Sequence, residues 1–122
     1  MKIRQLTRLS LTDRAPGILL PLTDGSLEKQ ALLDTGNLGH FFDEAMATHL
    51  GAPLPGMAGL TPSGARIFAR AVLPDSFRAG GLTLSAREVA LFDATPLQQL
   101  FKSPVAGTLG LPLLRNHCWL FD

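Results

Sequence analysis

Ala31-Leu32-Leu33-Asp34-Thr35-Gly36 runs from an apolar segment into an acidic turn. Three apolar residues lead into an acid, which is followed by a hydroxyl residue and a glycine. A carboxylate at the end of an apolar strand is costly unless something nearby needs its charge. The glycine permits a tight turn, and the threonine hydroxyl can bond to neighbouring backbone, so Asp34 points from a rigid strand end. Taken alone, the tripeptide is more typical of a turn or cap acid than of a site.

The segments on either side of this stretch predict a hairpin and a short helix. Gly17 to Leu22 is apolar and extended, Thr23 to Ser26 are turn residues, and Leu27 to Leu33 resumes toward an apolar end, which predicts a β-hairpin. Phe42 to Leu50 has helical character, with Asp43 as its N-cap and Gly51 as its stop. Asp34 therefore follows a hairpin and precedes a helix of about two turns.

The remaining sequence predicts further short strands and a second helical segment. Nine prolines and twelve glycines break the chain into many short elements, which favours a mostly β fold over a helical bundle. Ala94 to Phe101 is predicted to be helical, with Thr95 as its cap and Pro96 at the first helical position. The other predicted strands are Leu60 to Leu73, as a hairpin that turns at Thr61, Pro62, Ser63 and Gly64, then Leu82 to Leu84, Glu88 to Phe92 and His117 to Phe121.

Length and composition indicate one folded domain. The chain has 122 residues, of which 46% are hydrophobic and 17% charged, so it can build a core and lacks the charge excess of disordered chains. No linker or repeat divides it. We expect a single domain over residues 1–122, with residues 1–14 as an N-terminal strand or arm.

The charge and hydropathy patterns exclude two classes of partner. The 11 basic and 10 acidic residues are scattered, so no footprint for nucleic acid or an anionic membrane is present. No segment approaches the roughly 20 apolar residues that span a bilayer, and the basic N-terminus lacks the apolar run of an export signal. The expectation is a cytoplasmic protein without a membrane segment if the chain is full length.

A metal or nucleotide site is not indicated. His40, Asp43, Glu44 and His49 lie within ten residues, but their spacing is not His-Glu-x-x-His, and the chain has three histidines in all. Cys118 is the only cysteine and is expected to be a structural thiol. Asp-Thr-Gly-Asn is also similar to a phosphate loop of actin-like ATPases, but those folds need a far longer chain. We therefore predict no metal and no cofactor.

Across nearly all of Ala15 to Asp122, the sequence resembles the retropepsin-like aspartic proteases, the retroviral type and its bacterial relatives. In that family a hairpin precedes an apolar-apolar-Asp-Thr/Ser-Gly motif, a segment ending in Leu-Gly follows, and an apolar-apolar-Gly motif lies near the C-terminus. The order and spacing agree here. The matching parts are Gly17 to Leu33, Leu32-Leu33-Asp34-Thr35-Gly36, Thr48-His49-Leu50-Gly51 and Gly107-Thr108-Leu109-Gly110-Leu111-Pro112-Leu113-Leu114.

The resemblance implies a fold and an assembly. The fold is a mostly β, closed barrel-type domain with one or two short helices, and the active enzyme is a homodimer. The interface candidates are His117 to Phe121 and Lys2 to Leu9, because the termini of such dimers commonly interleave in a sheet. A hairpin flap over the substrate is implied at about Leu60 to Phe68, with Thr61, Pro62, Ser63 and Gly64 near its tip. A solvent-exposed turn is the simpler interpretation of those four residues.

The resemblance also assigns roles to individual site residues. Asp34 is the catalytic acid, and Thr35, Gly36 and Asn37 support its loop. Leu109 and Gly110 form the second motif, whose glycine lets two backbones approach closely. An ordinary glycine at a helix entry is the alternative for Gly110.

Asn37 departs from the family pattern. A small residue such as alanine or serine is usual at that position, whereas the asparagine can hydrogen-bond to the carboxylate or its surroundings. This change has three interpretations: the pKa of the acid is shifted, the acid is repositioned, or the site is degenerate.

Peptide hydrolysis by this route needs two carboxylates that share a proton, one as base toward water and one as acid toward the carbonyl. Asp34 alone lies in an apolar-Asp-Thr/Ser-Gly context, so the second carboxylate is predicted to be Asp34 of another copy. The predicted function is therefore a homodimeric aspartic endopeptidase acting on peptides or proteins. The alternative is a catalytically inactive domain of the same fold that serves as a dimerisation or peptide-binding module.

Overall fold

The structure is a computed structural model that describes residues 17–25, 27–55, 59–60, 66–84, 86–115, 117 and 119. It is mostly β with few short helices, as the sequence predicts. The strands are β1 (Leu19–Thr23), β2 (Glu28–Leu33), β3 (His40–Asp43), β4 (Pro53–Leu54), β5 (Gly59–Leu60), β6 (Arg66–Val72), β7 (Arg78–Ala79), β8 (Leu82–Thr83), β9 (Glu88–Phe92) and β10 (Val105–Leu109). The helices are a 3₁₀ helix (Glu44–His49), α1 (Thr95–Phe101) and α2 (Leu111–Leu114).

The hairpin that precedes Asp34 is present. β1 pairs antiparallel with β2, from Leu19 opposite Leu32 to Thr23 opposite Glu28. The turn closes because Asp24 Oδ1 accepts a hydrogen bond from the backbone N–H of Leu27 at 2.8 Å. The hairpin thus carries the chain into Asp34 from a strand that is paired along its whole length.

The centre of the sheet combines parallel and antiparallel pairs. The strand order is β4-β6-β9-β3-β10-β2-β1-β7-β8, and β5 pairs with β6. β10 runs parallel to β2, with Leu109 opposite Leu33, and antiparallel to β3, with Thr108 opposite Phe41. The C-terminal ends of β2 and β10 and the N-terminal end of β3 therefore meet at one edge of the sheet. Asp34 lies at this edge.

The expected closed barrel is wrong. The described strands form an open sheet whose path begins at β4 and ends at β8. Both of these strands have two residues, and β4 begins with Pro53, which has no N–H to donate. Such short end strands offer too few backbone groups to close the sheet.

The first predicted helix differs from the expectation in extent and type. Phe42 lies in β3 rather than in the helix, since β3 pairs with strands on both sides and the Phe42 side chain is fully buried. The helix that follows is a 3₁₀ helix over Glu44–His49. Asp43 is its N-cap, as predicted, and accepts a hydrogen bond from the N–H of Ala45. Phenylalanine is enriched in strands, and pairing on both sides of β3 thus delays the start of the helix to Glu44.

The second predicted helix is present with a different cap. α1 begins at Thr95, and Ala94 occupies the N-cap position without a side-chain bond. Asp93 Oδ1 accepts from the N–H of Thr95 at 3.0 Å, so the acid two residues upstream satisfies this group. The expectation of Thr95 as the cap is therefore wrong.

Several predicted elements lie partly or wholly outside the described residues. β5 and β6 pair with Gly59 opposite Ile67, as the second hairpin requires, but its tip, Thr61 to Gly64, lies outside the described ranges. Residues 1–14 and Cys118 lie outside them too. His117 and Trp119 are described and belong to no strand, contrary to the expected final strand. Instead, Trp119 Nε1 donates to the carbonyl of Leu114, which folds the chain back onto the end of α2.

The core lies against the strands that carry the site. Buried side chains from β1, β3, β10 and α2 pack together with Phe77, and the rings of Phe42 and Phe77 lie 6.0 Å apart. Burial of this many large apolar groups supplies the main driving force for the fold. The largest members of the core are Phe42, Phe77, Leu20, Leu22, Leu109 and Leu113.

Candidate active site

Asp34 is fixed through its backbone to the second motif. Its N–H donates to the carbonyl of Leu109 at 2.9 Å, which continues the parallel pairing of β2 with β10 by one residue. Because both strands end here, the side chain of Asp34 leaves the sheet at its edge rather than from the middle of a face. The carboxyl group is partly exposed.

Both carboxylate oxygens of Asp34 accept hydrogen bonds from its own loop. The backbone N–H of Gly36 donates to Oδ1 at 2.9 Å, and the side-chain amide of Asn37 donates to Oδ2 at 3.1 Å. A Cβ at position 36 would lie 3.3 Å from Oδ1, so glycine gives this approach the room it needs. Two donors from a tight turn hold the carboxylate in one orientation.

Asn37 joins the acid to the second motif. Its Nδ2 also donates to Oγ1 of Thr108 at 3.0 Å, so one amide group bridges Asp34 and Thr108. Thr108 is buried, at 5% exposure. Because a buried hydroxyl without a partner is costly, this contact ties the conformation of Asn37 to the position of β10.

Gly110 lies against the backbone that follows the Asp-Thr-Gly turn. A Cβ at this position would overlap the carbonyl oxygen of Gly39 and would lie 2.6 Å from the carbonyl oxygen of Asn37. The next residue, Leu111, donates its N–H to the same Asn37 carbonyl at 2.8 Å. Only glycine permits so close an approach of two backbones.

The Asp34 loop and the Leu109-Gly110 pair thus form a junction, and His40 of β3 adds a further contact to it. Its side chain is 2% exposed, and its Nδ1 accepts a hydrogen bond from the N–H of Gly110 at 3.0 Å. An accepting nitrogen carries no proton, so the ring is neutral with its hydrogen on Nε2. Burial lowers the pKa of His40 from 6.5 to about 4, since a charged imidazole loses its hydration there.

The structure thus brings together Asp34, Gly36, Asn37, Leu109 and Gly110 from the predicted site. The Thr35 side chain is exposed, and its predicted supporting role is not assigned to a contact within one chain. The predicted flap residues Thr61, Pro62, Ser63 and Gly64 lie outside the described ranges, and their role stays a prediction.

Three residues of this junction are not predicted as site residues from the sequence, although two of them lie in the matching second motif: Thr108, His40 and Gly107. Thr108 is a polar residue inside an apolar strand, which was the available signal. His40 was weighed only as a metal ligand. Gly107 has φ +151°, and a Cβ there would lie 2.7 Å from Cα of Phe42, so β10 can approach β3 only with glycine.

Neither a metal cluster nor a membrane-spanning helix is found in the described part of the chain. No three His, Cys, Asp or Glu side chains there are grouped to hold an ion. None of the helices within the same ranges is long and apolar enough to cross a membrane.

Comparison with known proteins defines the class of fold. No protein-family model matches the chain, and no curated protein matches it either. Among solved structures, the chain is similar to the EIAV protease complexed with the inhibitor HBY-793. The TM-score is 0.52 at 15% sequence identity, over 88% of this chain and 95% of that one. At this identity the likeness shows the fold alone, which is retropepsin-like.

Proposed function

We propose that the chain is an aspartic endopeptidase that hydrolyses peptide bonds with water activated between Asp34 of two subunits. The observation that carries the proposal is the double anchoring of Asp34. Its carboxylate accepts from Gly36 and Asn37, and its backbone N–H is held by Leu109 at the end of a parallel strand. A carboxylate prepared in this way is oriented before substrate arrives, which is what general acid–base catalysis requires.

The other described aspartates support a second copy as the source of the partner acid. Three of them accept backbone hydrogen bonds at turns or helix starts: Asp24 from Leu27, Asp43 from Ala45 and Ala94, and Asp93 from Thr95. Asp75 has a side chain that is 95% exposed, with Arg87 3.8 Å away. Each of these acids is engaged away from the Asp34 loop, so the second carboxylate of the proposed dyad is Asp34 of another subunit.

In the proposed reaction the two carboxylates share one proton. The ionised Asp34 removes a proton from water, which attacks the carbonyl carbon of the scissile bond, while the protonated Asp34 donates to the carbonyl oxygen. Proton transfer to the leaving nitrogen then breaks the C–N bond and gives a carboxylic acid and an amine. Like charges close together cannot both ionise readily, which keeps the shared proton in place.

Exposed groups beside the acid are suited to contact with a second subunit or a substrate. The Thr35 side chain is exposed and would brace the facing loop of the partner in the proposed dimer. Leu38 is 85% exposed four residues after the acid. Contact of Leu38 with a second subunit or an extended apolar peptide would remove its side chain from water, which is favourable.

Cleavage of a diverse peptide library between about pH 4 and pH 7 tests the proposal. The wild type is compared with Asp34→Asn at concentrations that sedimentation shows to be dimeric. Asp75→Asn is the matched control, because it makes the same chemical change at an exposed acid. We expect cleavage by the wild type and the control and only background cleavage by Asp34→Asn.

Two outcomes would contradict the proposal. Cleavage that persists in Asp34→Asn would assign the activity to another group or to a contaminant. A confirmed wild-type dimer that cleaves nothing in the library, yet retains peptides, would instead support the binding-module alternative.

A further inference from the structure

His40 stands out among the buried groups because its ring is neutral, enclosed and bonded to the second motif. Nδ1 accepts from Gly110 N–H at 3.0 Å, whereas Nε2 is buried without a hydrogen-bond partner in the described residues. An imidazole held in this way acts as a hydrogen-bond acceptor toward the loop. It can do so only while Nδ1 carries no proton.

The bond to Gly110 lies between two contacts that hold the proposed catalytic loop. On one side, the Leu109 carbonyl accepts from the N–H of Asp34. On the other side, the N–H of Leu111 donates to the Asn37 carbonyl. The peptide group between Leu109 and Gly110 holds both the carbonyl that accepts from Asp34 and the N–H that donates to His40, so its orientation sets the direction of the contact with Asp34. The Leu111 N–H belongs to the next peptide group, which is joined to the first at Cα of Gly110. The hydrogen bond from the Gly110 N–H to Nδ1 of His40 holds the first peptide group in its orientation.

We propose that His40 is a positioning residue for Asp34, and that protonation of its ring releases Gly110 and thereby sets the acid limit of catalysis. This inference rests on the proposed peptidase function. The chemistry of release is direct, because an imidazolium has an N–H at both nitrogens. The Nδ1–H would then face the N–H of Gly110, and the hydrogen bond would be replaced by repulsion between two donors.

The surroundings of the ring keep it neutral at moderate pH. Burial lowers the pKa of His40 to about 4, because a charged ring would lose its hydration there. An open pocket of about 250 Å³ is lined in part by His40, and its charged lining residues are Arg70 from β6, Glu88 from β9 and Arg87 just before β9. Arg70 pairs with Glu88 at 3.2 Å, and Arg87 lies 3.8 Å from Asp75, so the charges on this side are balanced and burial is what keeps the ring neutral.

Among the other elements around His40, the 3₁₀ helix that contacts β3 carries Glu44 and His49, which follow the far end of the strand, and one acid lies at the junction itself. β10 has no titratable side chain, and neither does the segment from Gly110 to Pro112. Asp34 is the acid on the opposite side of the junction. Its negative charge would favour an imidazolium, but its two oxygens accept from Gly36 and Asn37 rather than from the ring.

Two substitutions separate the acceptor role of the ring from its volume. In His40→Asn the side-chain carbonyl takes the place of Nδ1, so an acceptor that does not titrate remains opposite Gly110. In His40→Gln the amide reaches the place of Nε2 instead, and the acceptor is lost. His49→Asn is the matched control, because His49 lies at the end of the 3₁₀ helix with its side chain 36% exposed.

The pH profile of kcat/KM is the first readout. A group with a pKa near 4 is about nine-tenths protonated at pH 3, so we expect the wild type to lose about tenfold between pH 5 and pH 3 from this group. His40→Asn should retain near-normal activity at pH 5 and lose several-fold less at pH 3. His40→Gln should be impaired at both pH values, and His49→Asn should follow the wild type.

NMR on the wild-type protein supplies a readout that does not need activity. The ring ¹⁵N shifts of His40 should show the Nε2–H tautomer and a midpoint near pH 4, and the amide of Gly110 should shift with the same midpoint. Two results would overturn the inference while leaving the peptidase proposal intact. One is a fall in kcat/KM between pH 5 and pH 3 that is the same in His40→Asn as in the wild type, and the other is a Gly110 amide shift that does not change as His40 titrates. A wild type inactive at every pH would reject the peptidase proposal and the acid limit together, even if the His40 ring and the Gly110 amide still shift with the same midpoint.

Discussion

The side-chain amide of Asn37 donates a hydrogen bond to Oδ2 of Asp34 at 3.1 Å. The sequence left open whether this asparagine marks a degenerate site, because family members usually have a small residue there. In the structure it orients the acid and links it to the buried Thr108. The larger residue thus adds a contact to the loop rather than displacing the carboxylate.

Replacing Asn37 by leucine tests this contact. Asn37→Leu keeps the number and branching of the side-chain heavy atoms but removes both donated hydrogen bonds, so the buried Thr108 hydroxyl loses its contact with residue 37. We expect a loss of about 1–3 kcal/mol in the free energy of unfolding. Turnover should fall by up to about a hundredfold, because a carboxylate without this contact is less well oriented. Urea denaturation and peptide hydrolysis measure the two effects.

A double-mutant cycle with Thr108→Val separates the bridge from simple loss of packing. If Asn37 and Thr108 act through one hydrogen bond, the stability cost of the double variant should be smaller than the sum of the two single costs. Additive costs would show that the two side chains act independently.

A methyl group at Gly110 should disrupt the junction beneath the acid. In Gly110→Ala, Cβ would overlap the Gly39 carbonyl, so the two backbones must separate. Overpacking of this kind typically costs about 1–3 kcal/mol and can cost more when only backbone can give way. The midpoint of thermal unfolding is the measurement. Gly39→Ala is the control, since no atom lies within 4 Å of a Cβ there, and it should change the midpoint little.

Stability should depend on pH through His40. The folded pKa is about 4, below the ordinary 6.5, so between these values the unfolded chain binds a proton that the folded chain does not. Unfolding therefore becomes easier as the pH falls from 6.5 to 4, and the stability present above pH 6.5 is reduced by up to about 3 kcal/mol.

Other groups also titrate in this range, so the difference between the wild type and His40→Asn isolates the histidine. The stability of the wild type relative to this variant should decrease from pH 7 to pH 4, as measured by urea denaturation. A difference that stays constant with pH would contradict a neutral, buried His40.

The core beneath the sheet edge should be sensitive to truncation. Phe42 is fully buried and packs near Phe77, so Phe42→Ala should cost about 3–5 kcal/mol in the free energy of unfolding. Leu100→Ala removes a side chain that is 62% exposed and should change stability by less than about 0.5 kcal/mol. Similar losses for both variants would contradict the burial difference.

Local sequence patterns predicted the elements that depend on local chemistry. The first hairpin follows from its turn residues, which include Asp24, and the start of the 3₁₀ helix follows from the capping acid Asp43. These features need neighbours a few residues away, so a single sequence reveals them. Phe42 could not be assigned in the same way, because its place in β3 depends on β9 and β10.

The candidate site shows the same division. The Asp-Thr-Gly tripeptide and the later Leu109-Gly110 pair were visible as motifs. The contacts of His40 with Gly110 and of Asn37 with Thr108 join residues about 70 positions apart, and no local pattern encodes them.

The amino-acid sequence predicts a chain rich in short strands, an apolar strand that ends in Asp34, and glycines where the backbone must turn or where two backbones approach each other. The tertiary structure alone decided that the sheet is open, and that Asn37, His40 and Gly110 meet around the acid. The physical reason is that parallel pairing of β2 with β10 places two distant strand ends at one edge. Pairing between distant strands depends on the register and packing of the whole sheet, which no single segment specifies.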